Sequence, residues 1–236
     1  MSAELKRLTR EQYAAGLDKL VEWFPHNKDQ IQQHRDVILR HLQEGTKPVV
    51  DPSSPSSKLQ FVRSPKASQT LSAASTTDAG SRPSRECRDA MASLLADICI
   101  LIMELAGAEM ISAFKYLIKQ AIIDSLGSQG FKDLMDDIQA FVRAADAHDL
   151  NGMAKAIFSI TVKLFGRGVF KAILDIMADK WSFWEWLYFS SLVLANIGLW
   201  VVSDGVVLII ELIKSINDTY VLFEDAKNVA EKCNCQ

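Results

Sequence analysis

The placement of proline limits where this chain of 236 residues can form long helices. All six prolines lie at or before Pro83, five of them from Pro48 onward, and the rest of the chain contains none. An internal proline removes a hydrogen bond and breaks a helix, so long helices are favoured after this point. Residues 45–85 are rich in Ser, Thr, Pro and Gly and carry more basic than acidic residues. This composition predicts a disordered basic linker.

The proline-free part repeats an amphipathic helical pattern. Apolar residues recur three and four positions apart, as in Phe114, Leu117, Ile118 and Ala121, and Gly127 then provides a natural helix end. No alternating strand pattern competes with these runs. The sequence therefore predicts an all-α fold, with a multi-helix bundle over residues 86–236.

The first 44 residues predict a pair of amphipathic helices. Thr9 and Gln12 have the spacing of a capping box, and Pro25 ends the first apolar run. A second run ends at Gly45. Two helices of this size cannot bury their apolar faces alone, so residues 1–44 must dock on the later domain, on a protein partner or on a lipid surface.

The apolar segment, residues 183–213, is the most hydrophobic part of the chain. Its first part, Trp186 to Ser203, has no charged residue and is about 18 residues long, which is enough to cross a bilayer core. Asp204-Gly205 then permits a hairpin, and tryptophans near both ends resemble an interfacial aromatic belt. The residues predicted to contact the membrane are Trp181, Trp184, Trp186, Tyr188, Phe189, Leu192, Leu194, Ile197, Trp200, Val206, Ile209 and Ile210.

Two interpretations of the apolar segment stay open. In the first it enters a membrane, and the positive charges before it place the N-terminal side in the cytosol. This architecture resembles that of helical pore-forming proteins, which keep a hydrophobic hairpin inside a bundle until triggered. In the second interpretation the segment is a core helix covered by its neighbours, and the chain is cytoplasmic. Asn217 begins a glycosylation sequon that would distinguish a single span from a hairpin.

Three sites of modification are candidates. Cys233 is fourth from the end, as in prenylated proteins, and a lipid there would need a second membrane signal for stable anchoring. Ser54 and Ser64 precede prolines in the linker and fit proline-directed phosphorylation. Residues 1–10 have no apolar run of a secretory signal, so free thiols and a cytosolic origin are expected.

No catalytic, cofactor or metal constellation emerges from the sequence. The histidines lack a metal-ligand spacing, and Ser112-x-x-Lys115 lacks the other elements that accompany this tetrapeptide in acyl enzymes. Asp97 and Glu104 lie two turns apart in an apolar helix and form the better candidate pair, with a salt bridge to Lys115 or Lys119 as the structural alternative. A net charge of −3 gives no electrostatic drive toward nucleic acid. We expect no enzymatic activity and no cofactor.

These observations lead to two predicted functions. The main prediction is a non-enzymatic, membrane-associated helical protein that inserts through residues 183–213, with membrane lipid as its partner. The alternative is a soluble helical-bundle adaptor that binds a protein partner through its N-terminal helices, residues 1–44.

Overall fold

The computed structural model describes residues 8–48, 59, 61–62, 83–108, 111–203, 209 and 219–233, without the side chains of residues 202–203 and 219–220. Within these residues all regular structure is helical, which confirms the all-α prediction. The α-helices are α1 (Arg10–Trp23), α2 (Lys28–Gln33), α3 (Arg35–Glu44), α4 (Arg85–Leu105), α5 (Lys115–Asp146), α6 (Leu150–Gly166), α7 (Val169–Met177), α8 (Phe183–Ser203) and α9 (Thr219–Cys233).

Two capping boxes fix the starts of α1 and α8, and both have their two residues three positions apart in the sequence, Thr9 with Gln12 and Ser182 with Glu185. At α1, the backbone N–H of Gln12 donates to Thr9 Oγ1 over 3.3 Å, and the backbone N–H of Thr9 donates to Gln12 Oε1 over 2.8 Å. At α8, Ser182 and Glu185 exchange the equivalent bonds over 2.9 and 3.3 Å. Each box satisfies backbone donors that a helix start otherwise leaves unpaired.

Gly127 interrupts α5. Its φ of 55° and ψ of −170° are not helical, and the chain resumes a helix immediately afterwards. Glycine tolerates this backbone conformation because it has no Cβ atom. The helix end predicted at Gly127 is therefore a break within α5, with a helical segment before it and another after it.

The helices pack around one continuous hydrophobic core. The N-terminal helices α1 and α3 lie against α8, and α7 also contacts α8. Among the other helices, α4, α5 and α9 all contact one another, and α5 also contacts α6 and α7. The predicted N-terminal helices thus bury their apolar faces on the later part of the same chain, chiefly on α8.

Part of the predicted linker docks on the N-terminal helices. The buried side chain of Asn27 donates to the Val62 carbonyl over 2.8 Å and accepts from the Val62 N–H over 2.7 Å. The adjacent Phe61 ring lies 4.6 Å from the ring of Trp186 on α8. Residues 61–62 are therefore held by two hydrogen bonds between the Asn27 side chain and the Val62 backbone and by aromatic packing, which composition alone does not reveal.

The prediction of a membrane-inserting helix is wrong for the part of the chain that the structure describes. No described helix has both the length and the hydropathy needed to cross a bilayer. In α8, Glu185 and the buried polar side chains of Ser190, Ser191 and Asn196 dilute the apolar sequence. Most of the described apolar side chains of α8 are buried within the protein. The second arm of the predicted helical hairpin, residues 204–213, lies outside the described residues except for the buried Ile209.

Candidate functional site

The tryptophans at the start of α8 belong to an aromatic cluster inside the protein. The Trp186 ring lies 5.3 Å from Phe24 and 4.6 Å from Phe61, measured between ring centroids. The indole N–H of Trp186 donates to the Leu174 carbonyl of α7 over 2.9 Å. A buried indole needs such a partner as much as one at a membrane surface does. The clustering that resembled an interfacial belt therefore arises from packing between α8, α7 and the N-terminal segment.

The other residues predicted to contact a membrane also lie within the bundle where they are described. Trp181 and Leu192 are half-buried, and Val206 and Ile210 lie outside the described residues. The remaining members of the set are buried: Trp184, Trp186, Tyr188, Phe189, Leu194, Ile197, Trp200 and Ile209. In this structure neighbouring protein atoms cover the buried members of the set.

Cys233 forms a disulfide with Cys87, which joins the last residue of α9 to the first turn of α4. The two Cα atoms lie 4.8 Å apart. The disulfide is contrary to the expectation of free thiols for these two cysteines. It also uses the sulfur atom of Cys233 that prenylation would need. The predicted phosphorylation sites Ser54 and Ser64, and the sequon at Asn217, lie outside the described residues.

An apolar groove of about 470 Å³ runs between α1 and α8, and we call it the α1/α8 groove. Its lining is almost entirely apolar, with Gln12 and Lys19 as the polar exceptions. The side chains and backbone that line it are Gln12, Ala15, Gly16 and Lys19 of α1, Phe165 of α6, and Leu194, Ala195, Gly198, Leu199 and Val201 of α8. Sequence reasoning missed this groove, although the small residues on α1 and α8 are the signal that could have revealed it.

Two glycines give the α1/α8 groove its shape. A Cβ atom on Gly16 would lie 2.7 Å from the Ser191 carbonyl oxygen and 2.8 Å from the Ala195 nitrogen, so the absence of a side chain lets α1 approach α8 closely. A Cβ atom on Gly198 would meet nothing within 4 Å. The first glycine sets the helix spacing, and the second leaves open space beside it.

Asp97 forms a salt bridge with Lys115, which is the alternative to a functional Asp97–Glu104 pair that the sequence left open. Lys115 Nζ lies 2.7 Å from Asp97 Oδ2 and 3.6 Å from Asp225 Oδ2 of α9. Glu104, the other member of the predicted pair, is exposed and seven positions away. Burial raises the pKa of Asp97 to about 7, and its hydrogen bond with Asp225 acts in the same direction, whereas Lys115 opposes the shift. Asp97 therefore contributes to the contact between α4 and α9.

The raised pKa of Asp97 predicts a pH-dependent stability. In the unfolded chain the group titrates near 3.8, and in the folded chain near 7, so the folded state binds this proton more tightly. Its contribution is fully present below pH 3.8 and is lost as the pH rises through about 7. We expect urea unfolding at a series of pH values to show the wild type losing stability relative to Asp97→Asn across this interval. Parallel pH curves for the two proteins would contradict the assignment.

The described part of the chain contains no group of three or more His, Cys, Asp or Glu residues arranged to hold a metal ion. Searches of protein-family models, of curated proteins and of solved structures find no match to this chain.

Proposed function

We propose that this chain is a non-enzymatic interaction protein that binds an amphipathic helix of a partner protein in the α1/α8 groove. The groove itself is the observation that carries the proposal. It borders the N-terminal helices that the sequence suggested as a partner-binding element. The cytoplasmic location suggested together with this role stays a prediction.

The lining chemistry of the groove supports a helix as the occupant. Amphipathic helices bind apolar grooves through side chains spaced three and four residues apart. Three of the residues that line the groove, Ala15, Ala195 and Gly198, are small and allow the backbone of such a helix to come close. Val201 is 37% exposed, so apolar surface is available at the edge without a large rearrangement.

The charges beside the groove support a partner helix with an acidic residue at its edge. Lys19 lines the groove, and its ammonium group lies 2.9 Å from Glu22, a partner that is itself largely exposed. An exposed pair one turn apart on a helix is worth only a few tenths of a kcal/mol. A carboxylate on the bound helix can therefore share Lys19 at little cost.

A peptide selection with a blocked variant tests the proposal. Amphipathic helical peptides from a displayed library are selected on the wild-type protein, and their dissociation constants are then measured on Gly198→Leu. The leucine side chain grows into open space within the groove. We expect binding to weaken at least about 10-fold, since the loss of one well-packed apolar contact exceeds 1.4 kcal/mol.

Gly166→Leu is the matched control, because a Cβ atom there also meets nothing within 4 Å and Gly166 does not line the groove. Binding to this variant should equal that of the wild type, and circular dichroism should show both variants folded. A photo-crosslinker at Ala15, an exposed residue that lines the groove, should label the bound peptide. Helical peptides that bind Gly198→Leu as tightly as the wild type, or a library that yields no helical binder, would overturn the proposal.

A further inference from the structure

A second cavity, of about 430 Å³, lies between the start of α4 and the break in α5. It has no lining residue in common with the α1/α8 groove. We call it the Arg88 pocket. Arg85 and Arg88 of α4 and Lys119 of α5 line it, together with Asp89, Tyr116 and Gly127. Three cationic side chains against one carboxylate make the lining positively charged. This charge differs from that of the chain as a whole, which is net negative.

Arg88 has unused capacity as a hydrogen-bond donor. One terminal N–H of its guanidinium donates to Ser128 Oγ over 3.1 Å, and Ser128 is a neutral acceptor. The Nε–H of Arg88 is buried and has no hydrogen-bond partner among the described residues. A buried donor without a partner costs free energy, and native structures contain few of them. The terminal N–H groups of Arg88 that do not bond Ser128 can donate to an anion in the pocket that Arg88 lines.

The ammonium group of Lys119 forms only a weak ion pair within the protein. Its Nζ lies 2.9 Å from an Asp89 oxygen, but the Asp89 side chain is 63% exposed, whereas that of Lys119 is 21% exposed. Water screens such an exposed partner. A dianion that reaches the pocket can therefore compete for Lys119.

We infer that the Arg88 pocket binds a phosphomonoester through Arg85, Arg88 and Lys119. The fork of an arginine side chain matches the geometry of phosphate oxygens, and a lysine adds a point charge. The helix that restarts after Gly127 borders the pocket, and the start of a helix favours a negative charge. Tyr116 is 76% exposed at the same place and offers a ring face for the organic part of the ester.

Titrations followed by NMR test this inference, with inorganic phosphate and phenyl phosphate as the probes at constant ionic strength. We expect both probes to shift the amide signals of Arg88, Lys119 and Gly127 in a saturable way. Phenyl phosphate should bind more tightly than inorganic phosphate, and Tyr116→Ala should remove that difference. Phenol alone should leave these signals unchanged, because it lacks the dianion.

Single substitutions separate a site from diffuse screening. Arg88→Met and Lys119→Met should each weaken phenyl phosphate binding about 10-fold, as expected for the loss of one charge-assisted hydrogen bond. Arg143→Met is the matched control, because Arg143 is an exposed cation of α5 that does not line the pocket. If Arg88→Met does not fold, Lys119→Met carries the test. Shifts that do not saturate, or equal weakening by Arg143→Met, would overturn the inference.

Discussion

Replacing Cys87 with alanine is expected to lower the free energy of unfolding by about 2–5 kcal/mol, measured by urea denaturation under non-reducing conditions. The disulfide to Cys233 closes a loop with a sequence separation of 146 residues. A cross-link over so long a stretch removes many conformations from the unfolded chain, which places the expected effect toward the upper end of this range. The side chain of Cys87 is small, so lost packing contributes little.

The reducing agent dithiothreitol provides the internal check on the Cys87 prediction. Reduction should bring the stability of the wild type close to that of Cys87→Ala and should leave the variant unchanged. Cys99→Ala is the matched control, because Cys99 is a free and fully buried thiol of the same helix. Burial raises the pKa of Cys99, so this sulfur stays protonated and unreactive. A wild type whose stability does not respond to dithiothreitol would contradict the disulfide.

Gly16→Ala is expected to destabilise the protein by about 1–3 kcal/mol, although alanine is the better helix former. The added Cβ atom would lie within 2.9 Å of three atoms of α8, two of which belong to its backbone. A backbone cannot give way as the end of a side chain can, so α1 must move away from α8. Urea denaturation measures the loss.

Gly198→Ala is the opposite case in the same groove. Its Cβ atom meets nothing within 4 Å, so only the change in backbone entropy remains. We expect this variant to be more stable than the wild type by about 0.5–1 kcal/mol. The two Gly→Ala substitutions should therefore have opposite signs. Equal effects would show that α1 does not approach α8 as closely as described.

The helical architecture was predictable because its signals are local. Capping boxes at Thr9 and Ser182 depend on residues three positions apart, and the structure places a helix start at each. Gly45, which ends α3 in the left-handed conformation, is recognisable for the same reason. These features need no knowledge of what packs against the helix.

The role of α8 was not predictable from its own sequence. An uncharged run rich in tryptophan fits a membrane core and a protein core equally well, because both are apolar. The deciding contacts come from distant residues, such as Phe24 and Phe61 against Trp186. The disulfide was missed for a related reason, since nothing near Cys87 or Cys233 in sequence indicates that α4 and α9 lie side by side.

The candidate site was also only partly visible in the sequence. Asp97 stood out as a charge in an apolar helix, and Lys115 was among the partners weighed for it, but Asp225 was not. The α1/α8 groove combines residues from both ends of the chain, so no local pattern contains it. Cavities of this kind depend on how helices cross, which a periodicity does not specify.

The pairing of α1 with α8 has a consequence for how the chain is made on the ribosome. The main partner of α1 is α8, which is synthesised only after α2 to α7. At ordinary rates of translation the apolar face of α1 waits roughly 10 to 30 seconds before α8 emerges to cover it. During that interval the surface of α1 that packs on α8 stays uncovered on the nascent chain, and exposed apolar surface of this kind promotes aggregation.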